Sequence, residues 1–252
     1  MHRVFISDLH LEDPTQQNFL RFAELLKAES AVADEIYILG DLVEMWVGDD
    51  DDSPLAHALA QSLRTAAAQC GVFLMHGNRD FLFGEAFADA CNVTLCQDPH
   101  VTVDGLLLSH GDVLCTDDAE YQQVRAMFRS SAWQKDILQR PLSERIALGQ
   151  QLRNQSKAAN ANKAANIMDV NAAATAQFVA EWLATDDRST LQHNFVHGHT
   201  HRPGRHEHAW GQRWVLGAWE RCGWLLRQQQ DQLRLEVFTL ASRYESGSPD
   251  QA

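Results

Sequence analysis

The chain has 252 residues, enough for one large domain or for one domain carrying a sizeable insertion. Hydrophobic residues make up 45% and charged ones 22%, as in a folded water-soluble protein, and no apolar run reaches the roughly 18 to 20 residues that cross a bilayer. A formal charge of −13 argues against nucleic-acid binding by phosphate neutralisation, but not against an anionic substrate, because bound divalent cations reverse the field locally.

The N-terminus opens on a strand, without the charged, apolar and small-residue succession of a signal peptide, so a cytoplasmic location is expected. Arg3 to Ser7 is that strand, and its end delivers Asp8 and His10. In extended chain, residues two apart share a side, so D-x-H sets a carboxylate beside an imidazole. From Thr15 to Ser30, Phe19, Phe22, Leu25 and Leu26 recur at helical spacing. Ile36, Tyr37, Ile38 and Leu39 then read as a buried strand, and Gly40 throws Asp41 beyond its carboxyl end, where open α/β sheets place their sites. An isolated Gly-Asp is as readily a helix cap. The acidic run Asp49 to Asp52 reads as solvated surface, since like charges in a loop repel and stay wet.

Pro54 to Cys70 is a second amphipathic helix, and the strand Val72 to His76 breaks at Gly77 to present Asn78, Arg79 and Asp80. The Asn78 carbonyl suits a hard divalent ion, and the Arg79 guanidinium can grip a phosphate through paired bonds. A helix at Phe83 to Ala90, a strand at Val93 to Cys96 and a hairpin at Val103 to Gly105 lead to LLLSHGD, with His110 at the strand end. Cys70, Cys91, Cys96, Cys115 and Cys222 are odd in number and lack a CxxC spacing, and read as reduced core residues.

From Cys115 to Thr185 the pattern is helical throughout. Between Tyr121 and Lys163 eight basic residues face two acidic ones, a local balance of +6 that leaves −19 for the rest. Basic residues among large apolar ones suit an anionic lipid surface, and equally a helical pair that covers the core. Ser156, Asn160 and Lys163 fall at i, i+4 and i+7, one polar helix face. The sheet resumes with His193 to His197 and the loop GHTHRP, where His199 and His201 repeat the i, i+2 spacing. Three alternating runs, Arg213 to Leu216, Gly223 to Arg227 and Leu233 to Phe238, read as antiparallel strands, His206-Glu207-His208 as a solvated hairpin, and residues 242–252 as a mobile tail.

Asp8, His10, Asp41, Asn78, His110, His199 and His201 offer oxygen or nitrogen and no thiolate, a set suited to borderline or hard ions such as Mn²⁺. Seven donors exceed one tetrahedral ion. With Asp41 bridging, each of two ions gains four ligands. The ordered blocks D-x-H, G-D, G-N-R-D, H-G-D and G-H-T-H resemble the calcineurin-like metallophosphoesterases. Over Val4 to about Trp219, the blocks DLHL, GDLVEMWVGDDD, HGNRDF, HGDVLCTDD, SKAANANKAANIMDVN and HGHTHRP resemble, more narrowly, the UDP-2,3-diacylglucosamine pyrophosphatases of lipid A synthesis. Val43 stands where that family's pattern has a bulkier aromatic.

The resemblance implies an α/β sandwich of two mixed sheets flanked by helices, with a core of residues 1–114 and 186–241 and a helical cap at 115–185. It assigns Asp8, His10, Asp41 and His201 to one manganese, and Asp41, Asn78, His110 and His199 to the other. It places substrate near Asn78, Arg79, Asp118, Ser156, Asn160, Lys163 and His199, with acyl chains between cap and core; Arg79, able to neutralise phosphate charge, is the expected catalytic residue. The implied reaction is attack of metal-bound hydroxide on the α-phosphorus of UDP-2,3-diacylglucosamine, giving UMP and 2,3-diacylglucosamine 1-phosphate. A monomer, peripheral on the inner membrane, is the expected form. The rivals are a broader two-metal phosphodiesterase or phosphatase on nucleotides, and an interaction module with a dead site, which the seven competent donors disfavour.

Overall fold

The computed structural model describes residues 1–160, 167, 169–183 and 193–246, with Asn160 and Leu183 by backbone only. In chain order the elements begin β1 (His2–Ile6), α1 (Gln17–Glu29), β2 (Glu35–Leu39), α2 (Pro54–Ala67), β3 (Gly71–Met75), α3 (Glu85–Cys91), β4 (Thr94–Cys96), β5 (His100–Val101) and β6 (Leu107–Ser109). Four helices follow, α4 (Ala119–Phe128), α5 (Ser131–Leu138), α6 (Leu142–Asn160) and α7 (Ala172–Leu183). The chain then returns to strands with β7 (Asn194–His197), β8 (Gly204–His208), β9 (Gly211–Val215), β10 (Cys222–Gln229) and β11 (Gln232–Thr239).

These strands form two mixed sheets, β11-β10-β1-β2-β3-β4 and β5-β6-β7-β9-β8. Strands β1 to β4 run parallel, and β10 closes on β1 antiparallel. In the second sheet β6, β7 and β9 are parallel. The expected antiparallel reading of Arg213 to Leu216 therefore holds only on its β8 side.

Side chains alternate across each strand, and in the central strands β1, β2 and β6 both faces are buried, which is why the sequence shows continuous apolar runs there rather than alternation. Val4, Ile6, Ile36, Ile38, Val72 and Leu74 face the layer of α1, α2 and α3. Phe5, Tyr37, Leu39 and Met75 face Leu106, Leu108, Val196 and Trp214 of the other sheet. Tyr37 stacks between Phe5 at 5.3 Å and Phe73 at 4.6 Å. Burying one such side chain stabilises the fold by roughly 1.5–3 kcal/mol. At the end remote from the strand termini that carry Asp8 and Asp41, fully buried Arg3 joins the sheets through Glu35 (2.5 Å), Asp104 (2.6 Å) and Gln228 (3.0 Å).

Helix α7 differs from the expectation of a cap at 115–185. Its Phe178, Val179 and Trp182 pack on Leu107 and Phe195, so it is the outer layer of the second sheet. Helices α5 and α6 reach the first core through Trp133, Ile137 and Leu148. The tail also differs in its first residues, because Tyr244 packs on Phe238 at 4.8 Å and donates to Glu29 at 2.5 Å. The acidic run is structural rather than merely wet. Asp49 accepts from the backbone of Gly84 (2.9 Å) and Phe87 (3.0 Å), Asp50 pairs with Arg145, and Asp51 accepts from Ser53 N. Val43 is wholly buried in a parallel bridge with Leu11, so the smaller side chain leaves no opening to solvent there. None of the five cysteines forms a disulfide.

Candidate active site

The parallel strands of both sheets end at one place. Asp8 follows β1, Asp41 follows β2, Asn78 follows β3, His110 follows β6, and His199 and His201 follow β7. Backbone bonds tie these loops together: Asp8 N to Gly40 O (3.1 Å), His10 N to Asp41 O (3.0 Å), Gly198 N to His110 O (2.9 Å) and Trp219 N to Asp8 O (3.0 Å). Two three-donor groups result, Asp8/His10/His201 and Asp41/His110/His199, and within each the ligand atoms lie within 4.8 Å of one another. Asp41 stands between them, with Oδ2 3.9 Å from His10 Nε2 and Oδ1 3.8 Å from His110 Nε2. Asn78 Oδ1 is 3.1 Å from His110 Nε2.

The neighbours come about differently from the extended-strand expectation. Asp8, His10, Asp41, His199 and His201 all adopt left-handed backbone, with φ of 56°, 48°, 52°, 65° and 55°. For non-glycine residues this costs roughly 1–2 kcal/mol each, and such strain concentrates where a site demands a geometry. Asp8 and His10 are brought together by tight loop curvature and not by strand pleat, and His199 and His201, also left-handed, go to different donor groups. The curvature is held in place by side-chain bonds: Asp8 accepts from His199 N at 2.9 Å and from Ser7 Oγ, and Asp41 accepts from Arg79 N at 2.8 Å.

The donor chemistry fits divalent cations. His10 Nε2 and His201 Nε2 face each other at 3.3 Å, and two imidazole lone pairs sit that close comfortably only with a cation or proton between them. Burial pulls against charge on His110, yet the carboxylates of Asp41, Asp112 and Asp8 raise it to about 9. Burial and the neighbouring His110 push His199 down to about 4. Burial and the Asp41 carboxylate lift Asp80 to about 6. A cluster that must hold protons on some members and refuse them on others is one in which cations displace protons on binding.

Of the remaining expected residues, Arg79 is half-buried beside Asp41, and its Nε has no hydrogen-bond partner among the described residues. Asp118 caps α4 by accepting from Tyr121 N at 3.1 Å. Ser156 lies half-buried on α6, while the Asn160 side chain and Lys163 lie outside the described residues.

A scan against models of known protein families finds no match. A UDP-2,3-diacylglucosamine hydrolase of Chromobacterium violaceum is 45% identical over 227 residues, 88% of this chain and 93% of that protein. One of Salmonella typhi is 41% identical over 254 residues, 95% of this chain and all of that protein. The chain belongs to the UDP-2,3-diacylglucosamine hydrolase family. Among solved structures, an archaeal phosphodiesterase covers 94% of the chain with a TM-score of 0.47 and 12% identity, a likeness too distant to bear on activity.

In this member of the hydrolase family several buried polar groups behind the donors escape a reading by sequence. Asp80 accepts from Leu42 N and Gly77 N, both at 2.7 Å, and so locks the Asp41 loop to the Asn78 loop. Asp112, wholly buried, accepts from Tyr121 Oη and Arg125 Nε, both at 2.8 Å. Burial alone would raise the Asp112 carboxyl, but His110 and Arg125 hold it well below the usual carboxylate range. The Tyr121 ring stacks on His199 at 5.7 Å, and Arg129 donates to Gly77 O at 2.9 Å, so α4 closes down on the donors. The available signal was position: Asp80 and Asp112 each stand two residues after a donor in the same loop.

The basic insertion is largely spoken for. Arg125, Arg129, Arg140, Arg145 and Arg153, five of its eight basic residues, point at carboxylates or backbone carbonyls of the protein. The positive charge of α4–α6 therefore serves first to seat these helices on an acidic core. Their exposed apolar residues are Val124, Met127 and Leu138.

Proposed function

We propose that the chain hydrolyses the pyrophosphate bond of UDP-2,3-diacylglucosamine, giving UMP and 2,3-diacylglucosamine 1-phosphate, with two divalent cations, manganese first among them. The observation that carries the reading is the pair of adjacent three-donor groups with Asp41 between them, in a chain of this family. Asp8, His10, Asp41 and His201 would hold one cation, and Asp41, Asn78, His110 and His199 the other. Bound there, the cations supply charge neutralisation of phosphoryl oxygens and a lowered water pKa.

The residues do the rest. The Arg79 guanidinium, with Nε buried and unpartnered among the described residues, neutralises phosphate charge beside Asp41. Helices α4–α6 form the cap, with Asp118, Ser156, Asn160 and Lys163 on the substrate. The half-buried rings of Phe81, Phe128 and Trp133, whose centroids lie 4.6 to 5.9 Å apart, offer acyl chains an apolar wall that also excludes water from the phosphates. Exposed Val124, Met127 and Leu138 support peripheral attachment to an anionic inner-membrane surface, which pull-down with anionic liposomes tests.

The decisive experiment is product analysis with Mn²⁺ and three compounds: UDP-2,3-diacylglucosamine, UDP-N-acetylglucosamine and an aryl phosphodiester. Release of UMP from the acylated nucleotide alone is the expected result. Cleavage of the aryl ester alone would keep the site and overturn the lipid substrate, and normal turnover by Asp41→Ala would overturn the two-cation centre.

A further inference from the structure

An imidazole that gives one nitrogen to a cation is held in place by whatever its other nitrogen meets. In His110 that partner is Leu39 O, 2.9 Å from Nδ1, a group of the core itself. His10 is different. Its Nδ1 lies 2.9 Å from Glu44 Oε2, and the other oxygen of the same carboxylate accepts from Arg153 Nε at 2.6 Å. Arg153 belongs to α6 and also pairs with Glu12. Glu44 is mostly buried, and its backbone N donates to Leu11 O at 3.1 Å, so the carboxylate has little freedom of its own.

We infer that Glu44 and Arg153 are positioning residues through which helix α6 aims His10, so that this one contact, rather than the general seating of the helix, sets cation affinity at the Asp8/His10/His201 group alone. The inference rests on the two-cation reading above. The Glu44 carboxylate beside Nδ1 favours the tautomer with the proton on that nitrogen, which leaves the Nε2 lone pair facing His201 and Asp41. Without Arg153, Glu44 loses the partner that fixes its second oxygen, and the ring loses its reference. Arg153, Ser156 and Asn160 follow one another at i, i+3 and i+7, on one face of α6. The face that aims His10 is thus the one expected to meet substrate, and linkage makes the influence mutual: what settles on that face tightens the cation, and the cation tightens it in return.

The test is calorimetric titration of Mn²⁺ into metal-free protein, with thermal melts to match folded fractions. Wild type should bind two ions. Glu44→Ala should bind one of them roughly 10- to 100-fold more weakly and leave the other unchanged. Arg153→Ala should move the same ion in the same direction by less, with Arg153→Lys recovering part of the loss. Arg145→Ala is the control, since Arg145 ties α6 to Val47 O (2.5 Å) and Asp50 without touching a donor; it should lower the melting temperature and leave both affinities alone. Native affinities in Glu44→Ala and Arg153→Ala overturn the inference, as does an equal loss in Arg145→Ala, which would make it general loosening. Wild-type protein that binds no ion overturns the two-cation reading, and with it the role given to Glu44.

Discussion

Replacing Gly77 by alanine tests how tightly the loops are packed around Asp41. A Cβ built there meets Asp41 Oδ1 at 2.1 Å and Asp41 N at 2.2 Å, where ordinary contact begins at 3.4 Å. Backbone strain is not the obstacle, because Gly77 is outside the left-handed region. The methyl group drives the carboxylate and its backbone away by about 1 Å, and a displacement of that size near reacting groups costs on the order of 100-fold in rate. The retreat also breaks the bond from Arg79 N to Asp41, worth roughly 1.5–3 kcal/mol for a charged acceptor. Gly77→Ala should therefore lose high-affinity Mn²⁺ binding and at least about 99% of turnover, and its melting temperature should fall by roughly 3–12 °C. Gly204→Ala, whose nearest contact would be 3.5 Å away, is the matched control and should behave as wild type. Calorimetry, the hydrolysis assay and a thermal melt read the three effects. A Gly77→Ala protein with native metal affinity and native turnover refutes the placement of Asp41.

Three further outcomes follow from other parts of the molecule. Arg227→Ala strands the fully buried Glu29 carboxylate, which Arg227 holds at 2.5 and 3.0 Å, and should cost about 3–5 kcal/mol, a drop in melting temperature on the order of 10 °C; a drop under about 2 °C would contradict it. Burial raises the Glu29 carboxyl, but hydrogen bonds from Arg227 and Tyr244 outweigh it and hold it below its ordinary 4.5. A depressed carboxyl stabilises the fold above the unfolded value, so this contribution is complete above about pH 4.5 and fades as acid takes the pH through the lower folded value. Urea titrations from pH 6 to 3 should show a shallower decline in Glu29→Gln than in wild type, and parallel curves would sink the assignment. Asn92 closes α3 at φ 56°, exposed to solvent, so Asn92→Val should lower the urea midpoint by the equivalent of about 1–2 kcal/mol and Asn92→Gly should not; equal midpoints would contradict the strain argument.

The central strands and the places of the seven candidate donors were legible because those strands are buried on both faces and stop at a glycine or a polar cluster. Ile36 to Leu39 announces itself by four apolar residues, and Asp41 by the glycine before it. What periodicity cannot carry is partnership. Nothing local says that β10, near the end of the chain, closes on β1, or that β6 and β7 sit together in the second sheet. The same limit hid the purpose of the charges. Asp49 looked solvated because its donors, Gly84 N and Phe87 N, lie far along the chain, and the pairing of Arg153 was hidden because Glu44 lies as far away. Left-handed backbone at Asp8, His10, Asp41, His199 and His201 was invisible for another reason: glycine advertises that conformation, whereas carboxylates and imidazoles forced into it do not.

The facing imidazoles of His10 and His201 are 191 residues apart along the chain. A nascent chain leaving the ribosome carries the first half of the donor set long before the second, and β10 and β11, which complete the first sheet, emerge later still. The donor cluster is consequently completed last, and cation uptake there would report that synthesis and docking of both sheets are finished. A cation bound only by the finished form also draws the folding equilibrium toward it, by about 2.7 kcal/mol at a hundredfold excess over its dissociation constant. Ions held there would act as a final latch on assembly, and metal starvation should leave newly made chains more exposed to proteolysis than chains already loaded.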